Sequence, residues 1–128
     1  MIRFLPAEIV LAIHEDQIRL YGGSYGVRNP GMLDAALHMP QAQFDGQFLH
    51  TTLHAMAAAY GFHLCQNHPF IDGNKRAAGM AMLTFLQLND LPPTVAEMEY
   101  YTVMMAVASG QMNKDELTNW LYRAVTSL

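Results

Sequence analysis

Ten consecutive residues, Asn67-His68-Pro69-Phe70-Ile71-Asp72-Gly73-Asn74-Lys75-Arg76, bring an imidazole, a carboxylate, two amides and two neighbouring cations together between long apolar stretches. Between the two long apolar stretches, this is where basic, acidic and imidazole groups crowd together. Residues 74 to 76 are predicted to open a helix. Free backbone N–H groups and the macrodipole make such an end positive, so Lys75 and Arg76 there make sense if an anion binds. Gly73 permits a tight turn and close approach to the amides, which makes Gly73-Asn74-Lys75 a candidate nest for phosphate oxygens. Pro69 is expected to bias His68 toward extended backbone, leaving the imidazole outside the helix as a general base for a substrate hydroxyl. Asp72 adds a hard carboxylate oxygen close to the nest, as a magnesium ion shared with substrate phosphates requires. Phe70, between polar neighbours, is expected to turn into the core and anchor the loop.

The flanking stretches must hold that loop. From Leu49 to Cys65 there is no Asp, Glu, Lys or Arg, and apolar residues fall all around the helical wheel. Residues 77 to 88 do the same with Met80, Met82, Leu83, Phe85, Leu86 and Leu88, so two central helices enclosed by others are predicted. Residues 8 to 21 read as an amphipathic surface helix with Ile9, Val10, Ile13 and Leu20 on one arc, ending at Tyr21-Gly22-Gly23. Asn29-Pro30-Gly31 is a helix start, with Asn29 as N-cap and Pro30 at the first position, and this helix should run to about Met39. Residues 40 to 48 lack a helical period and are expected to form a loop or small hairpin. Thr94-Val95-Ala96-Glu97 and Asn113-Lys114-Asp115-Glu116 have the spacing of capping boxes, and Leu117, Leu121, Ala124 and Leu128 share a face of the last helix. The predicted architecture is all-α: one domain over residues 1–128, a bundle of about six helices with one irregular insert.

Composition narrows the functions open to such a bundle. Over 128 residues, hydrophobic types make up 52% and charged types 14%, which excludes charge-driven disorder. Seven Lys and Arg against a net charge of -4 argue against a wide nucleic-acid-binding face. The central stretches are too short or too rich in His and Thr for a membrane span. One cysteine, Cys65, and no signal-peptide pattern suggest a reducing, cytoplasmic setting with no segment removed. Taken singly, His68 before a proline reads as a residue leading into a helix, Asp72-Gly73 as a turn, and Lys75 and Arg76 as solvated charges. Gathered on one loop between buried helices, they read as a site. His50 and His54, four apart, could join His63 at a zinc ion, but no Glu or Cys stands at ligand spacing within that helix and all three are read as structural. Arg28 could reach the phosphate site or pair with a surface acid.

The run His68-Pro69-Phe70-Ile71-Asp72-Gly73-Asn74-Lys75-Arg76 resembles the active-site loop of Fic/Doc proteins, in particular the death-on-curing (Doc) toxin branch. Tyr21-Gly22-Gly23, Asn29-Pro30-Gly31, the Pro40-Gln41 junction and the two central helices extend the resemblance over nearly the whole chain. It implies transfer of a phosphate-containing group from a nucleotide to a protein hydroxyl. His68 would activate the hydroxyl, Asp72 would bind Mg2+, and Gly73, Asn74 and Arg76 would hold the phosphates of ATP. Residues 40 to 48 would match the flap that docks the target chain as an added strand. AMP-transferring Fic enzymes typically have glycine at the position of Lys75. A cation there resembles the Doc kinase branch, in which the terminal phosphate is presented. Gly73 resembles the AMP-transferring members instead, and Ala77 stands where threonine is frequent. The self-inhibitory Fic pattern, Ser or Thr followed four residues later by Glu and then Gly or Asn, is absent from the sequence, so the resemblance implies an antitoxin as a separate chain. The leading expectation is a toxin that phosphorylates a translation protein, with elongation factor Tu as target. The alternatives are an AMP transferase and a non-catalytic nucleotide-binding module.

Overall fold

A computed structural model describes residues 1–125. The described residues form α1 (Ala7–Tyr21), α2 (Pro30–His38), a 3-10 turn (Met39–Gln41), β1 (Gln43–Phe44), β2 (Gln47–Phe48), α3 (Leu53–Asn67), α4 (Asn74–Leu88), α5 (Glu97–Ala108) and α6 (Lys114–Ala124). The all-α expectation holds. Uncharged α3 is the axis of the bundle, packing most extensively on α4 and also on α2, α5, α6 and the 3-10 turn. Met56, Ala57, Ala58, Ala59, Tyr60 and Gly61 are buried in succession, as a helix enclosed on all sides requires. A Cβ on Gly61 would lie 2.8 Å from the sulfur of Met82, so α3 and α4 approach each other closely at this glycine. Burial pushes the Tyr60 hydroxyl up to about 12, and its oxygen accepts a hydrogen bond from the Leu5 N–H at 2.8 Å, tying the N-terminal segment to the axis.

The insert at residues 40 to 48 resolves into a hairpin. Gln43 faces Phe48 and Phe44 faces Gln47 across an antiparallel pair. Asp45 and Gly46, at φ of 54° and 78°, supply the two left-handed residues that a tight hairpin turn demands. Asn29 caps α2 by accepting from the Met32 N–H, and Asn113 and Glu116 form the expected capping box on α6.

Two expectations are corrected. No capping box forms at Thr94. Helix α5 begins at Glu97 after Ala96, without a side-chain cap, because Leu91 and Val95 pack against the core and hold the chain after Pro92-Pro93 out of the helix. On α1, Ile9 and Leu20 are exposed, while the buried residues are Val10, His14, Gln17 and Ile18. The inward face therefore carries two polar side chains, of which His14 meets the loop between α3 and α4. Leu128 lies outside the described residues. Among the described residues no helix is long and apolar enough to cross a membrane.

Candidate active site

His68 ends α3 in the left-handed conformation, at φ 50° and ψ 52°, and not extended as expected. Pro69 disfavours the right-handed helical region for the residue before it, and one left-handed residue is a common way to finish a helix. Arg28 completes the terminus by donating from Nε to the His68 carbonyl at 2.7 Å and from Nη2 to the Asn67 carbonyl at 3.2 Å. Among the described residues it pairs with no acid, and it meets the cleft through the backbone of His68. Residues 26 to 29 run alongside the loop: the Arg28 and Asn29 N–H groups both donate to Pro69 O, and the Ile71 N–H donates to Gly26 O.

Phe70 is fully buried, as expected of an anchor, and stacks face to face on His14 at 3.8 Å between ring centroids. His14 Nε2 lies 2.7 Å from the Asp72 carbonyl oxygen. That oxygen can only accept, so Nε2 carries a proton. The Asp72 carboxylate accepts from the Gly73 N–H at 2.8 Å and from the Ser24 N–H at 3.2 Å. Gly23, at φ 119°, comes so close that a Cβ would stand 2.6 Å from Asp72 Oδ2 and 3.2 Å from Arg76 Nη2. Only glycine fits both the conformation and the space.

Gly73, at φ 75°, precedes α4 as its N-cap, so the helix opens at Asn74 as expected. The buried Asn74 side chain folds back onto the loop. Its Oδ1 accepts from the Phe70 N–H at 2.8 Å, while Nδ2 lies 2.9 Å from Phe70 O and 3.0 Å from His68 Nδ1. The two cations diverge. Arg76 donates from Nη1 to the Gln17 carbonyl of α1 at 3.2 Å. Lys75 turns the other way, its ammonium against Met105 Sδ and 5.5 Å from the Tyr101 ring centroid on α5.

His68, Ile71, Asp72, Gly73, Asn74, Lys75 and Arg76 line a cleft of about 300 Å³. Six of the seven sequence-predicted residues therefore converge on one opening, with Phe70 beneath it. Volume alone does not single it out, since hollows of about 340 and 450 Å³ lie around Arg3 and Asp90. The distinction is chemical: unlike those two hollows, the 300 Å³ cleft combines an imidazole, a carboxylate, two cations and a helix N-terminus. His14, Gln17 and Gly23 were missed by the sequence reading. The spacing 10, 14, 17, 18 is itself a helical face, and admitting polar members to it would have pointed to the first two. His50 acts electrostatically on His63, while His54 and His63 each have a further neighbour. His54 packs its ring against Tyr122 at a tilt of 34°, and His63 Nε2 accepts from Lys114 Nζ at 3.1 Å.

Comparison with known proteins adds ancestry to this geometry. The sequence pattern of the Fic/DOC family matches residues 4–86, from the chain before α1 through the loop and most of α4. The chain is 45% identical over 69 residues to a protein named Toxin Doc from Mycolicibacterium smegmatis, an alignment covering 54% of this chain and 53% of that protein. It is 28% identical over 121 residues to a protein named Protein kinase doc from Escherichia phage P1, covering 94% of each.

Proposed function

The chain belongs to the Fic/DOC family, and on that premise we propose that it is a Doc-type protein kinase acting as the toxin of a toxin-antitoxin pair. It moves the terminal phosphate of ATP to a Ser or Thr hydroxyl of a translation protein in the cytoplasm, elongation factor Tu being the target to test first. The observation that carries this reading is the convergence of His68, Asp72, Gly73, Asn74, Lys75 and Arg76 on one cleft at the start of α4. The near full-length similarity to a protein named as a kinase supports the reaction class. The similarity to a protein named as a toxin supports a small antitoxin chain as partner.

In the proposed reaction the target hydroxyl loses its proton to His68 as its oxygen bonds to the terminal phosphorus. The bridging oxygen departs with the electron pair on a nucleoside diphosphate. The amides opening α4 and the Arg76 guanidinium hold phosphate oxygens against the positive helix end. Asp72 suits a magnesium ion: it is exposed, and each of its oxygens accepts one backbone N–H and retains a lone pair for a cation. One carboxylate with waters and substrate phosphates is the usual magnesium environment. When bound, the ion would neutralise charge on the phosphates. The Phe44 side chain, exposed on the hairpin, offers an apolar contact to a target chain docked along that edge.

Lys75 is what favours phosphate over AMP transfer. Its side chain spans the α5 side of the cleft to Tyr101 and Met105, filling room that a glycine would leave for distal phosphates. Gly73 favours the second reading, AMP transfer. Intact-mass analysis of elongation factor Tu after incubation with this protein, magnesium and ATP separates them. Addition of phosphate is expected. An adenylylated product would overturn the kinase assignment, and an unmodified factor would overturn the choice of target.

A further inference from the structure

A side-chain amide has one acceptor oxygen and two N–H hydrogens, and at Asn74 the loop uses all of them. Oδ1 takes the Phe70 N–H at 2.8 Å, and Nδ2 gives one hydrogen to the Phe70 carbonyl at 2.9 Å. Turning the amide over would set oxygen against oxygen and N–H against N–H at both contacts, so Phe70 fixes its orientation. The second Nδ2 hydrogen is then left for His68 Nδ1, 3.0 Å away. Asn74 is only 6% exposed, so water competes little for these bonds. A ring nitrogen that receives a hydrogen bond cannot itself carry the proton. The neutral imidazole therefore bears its proton on Nε2.

We infer that Asn74 is a positioning residue for His68: its amide sets the ring in the Nε2–H tautomer and caps the lone pair on Nδ1, so that the site at rest presents a donor and no available base. The consequence for transfer rests on the function proposed above. The Asn74–His68 hydrogen bond must open first. The target O–H bond then breaks, its proton goes to the freed Nδ1, and the oxygen electron pair forms the bond to phosphorus while the bridging oxygen leaves. The backbone N–H of Asn74 is among the free amides of the first turn of α4. One residue thus joins the phosphate nest to the base.

The test reads the ring directly, in the full-length chain labelled with 15N and held well above the imidazole titration range. Long-range 1H–15N correlations report which nitrogen is protonated, and a coupling across the hydrogen bond between Asn74 Nδ2 and His68 Nδ1 reports the cap. A pure Nε2–H tautomer with that coupling is expected. An Nδ1–H ring, or a mixture without the coupling, overturns the inference. Asn74→Asp puts an acceptor where the amide donated and should turn His68 to the Nδ1–H tautomer. A folded variant that keeps the native tautomer also overturns it, and if this variant does not fold, the native measurement decides alone. Neither readout involves transfer, so a native chain that transfers no phosphate to any protein would remove the proposed function, and a His68→Ala variant that still phosphorylates would remove His68 as its base, while either result leaves the tautomer assignment standing.

Discussion

At the scale of single residues, the imidazoles of this chain do different work according to what their nitrogens face. His14 is enclosed between Phe70 and the Asp72 carbonyl and serves as a brace, whereas His68 is exposed at the cleft. His68→Ala should therefore lower transfer by about 10²- to 10⁴-fold with nucleotide affinity nearly intact, as expected for loss of a general base. Arg76→Ala should do the reverse and weaken nucleotide binding first, which calorimetric titration with ATP would show. His63 makes a prediction about stability. Its burial, then the Lys114 ammonium and to a smaller extent His50, lower its pKa to about 4 from an ordinary 6.5. The unfolded chain takes up this proton at a higher pH than the native one does. The contribution is thus complete above pH 6.5 and is lost as pH falls toward about 4. Discounted for the solvent reaching a half-buried ring, the effect is about 1–2 kcal/mol. Urea unfolding midpoints at pH 7 and pH 5 should differ in the native protein and converge in His63→Gln.

At the scale of elements, the stops and starts of helices carry the site as much as the helices do. The α1–α2 connection brings Gly23 and Ser24 against Asp72, and residues 26 to 29 along the loop. Gly23→Ala would place a methyl in a left-handed conformation and against the Asp72 carboxylate. The expected cost is about 1–3 kcal/mol, with loss of transfer, read from thermal unfolding and activity together. The two capping-box patterns provide an internal contrast. Asn113→Ala should destabilise by about 1 kcal/mol, whereas Thr94→Ala should change little, since only the first has its hydrogen bonds. These helix ends also show what the sequence could reveal. The central helices, the hairpin turn at Asp45-Gly46 and the charged loop were legible because burial, left-handed turns and clustered charge leave compositional marks. The polar inner face of α1 was not legible: the His14 ring meets the Asp72 carbonyl and the Gln17 backbone carbonyl meets Arg76, each more than fifty residues away, and amphipathic patterning ranks such residues as outward-facing. The cap at Thr94 failed for a related reason, since packing of Val95 outweighed a local signal.

At the scale of the whole molecule, the cleft has two unlike walls. Helix α1 and its trailing glycines hold Asp72 and Arg76 on one side, while α5 receives Lys75 on the other. The start of α4 lies between them at the end of the buried α3–α4 pair, so under the proposed reaction the nucleotide pose would depend on the α5 wall. Lys75→Gly opens that wall while Gly73 already supplies the rest of the AMP-transferring pattern. It should lower phosphate transfer and raise the fraction of transferred groups that are AMP. Tyr101→Ala tests the wall from the other side. It removes the ring beneath the ammonium without altering the loop, and a contact of this kind is worth about 0.5–1 kcal/mol at an exposed site, so phosphate transfer should fall only severalfold. Intact-mass spectra of one target treated with the native chain and each variant give both numbers at once. Equal phosphate yields from all three proteins would show that the α5 wall does not control which phosphate reaches His68.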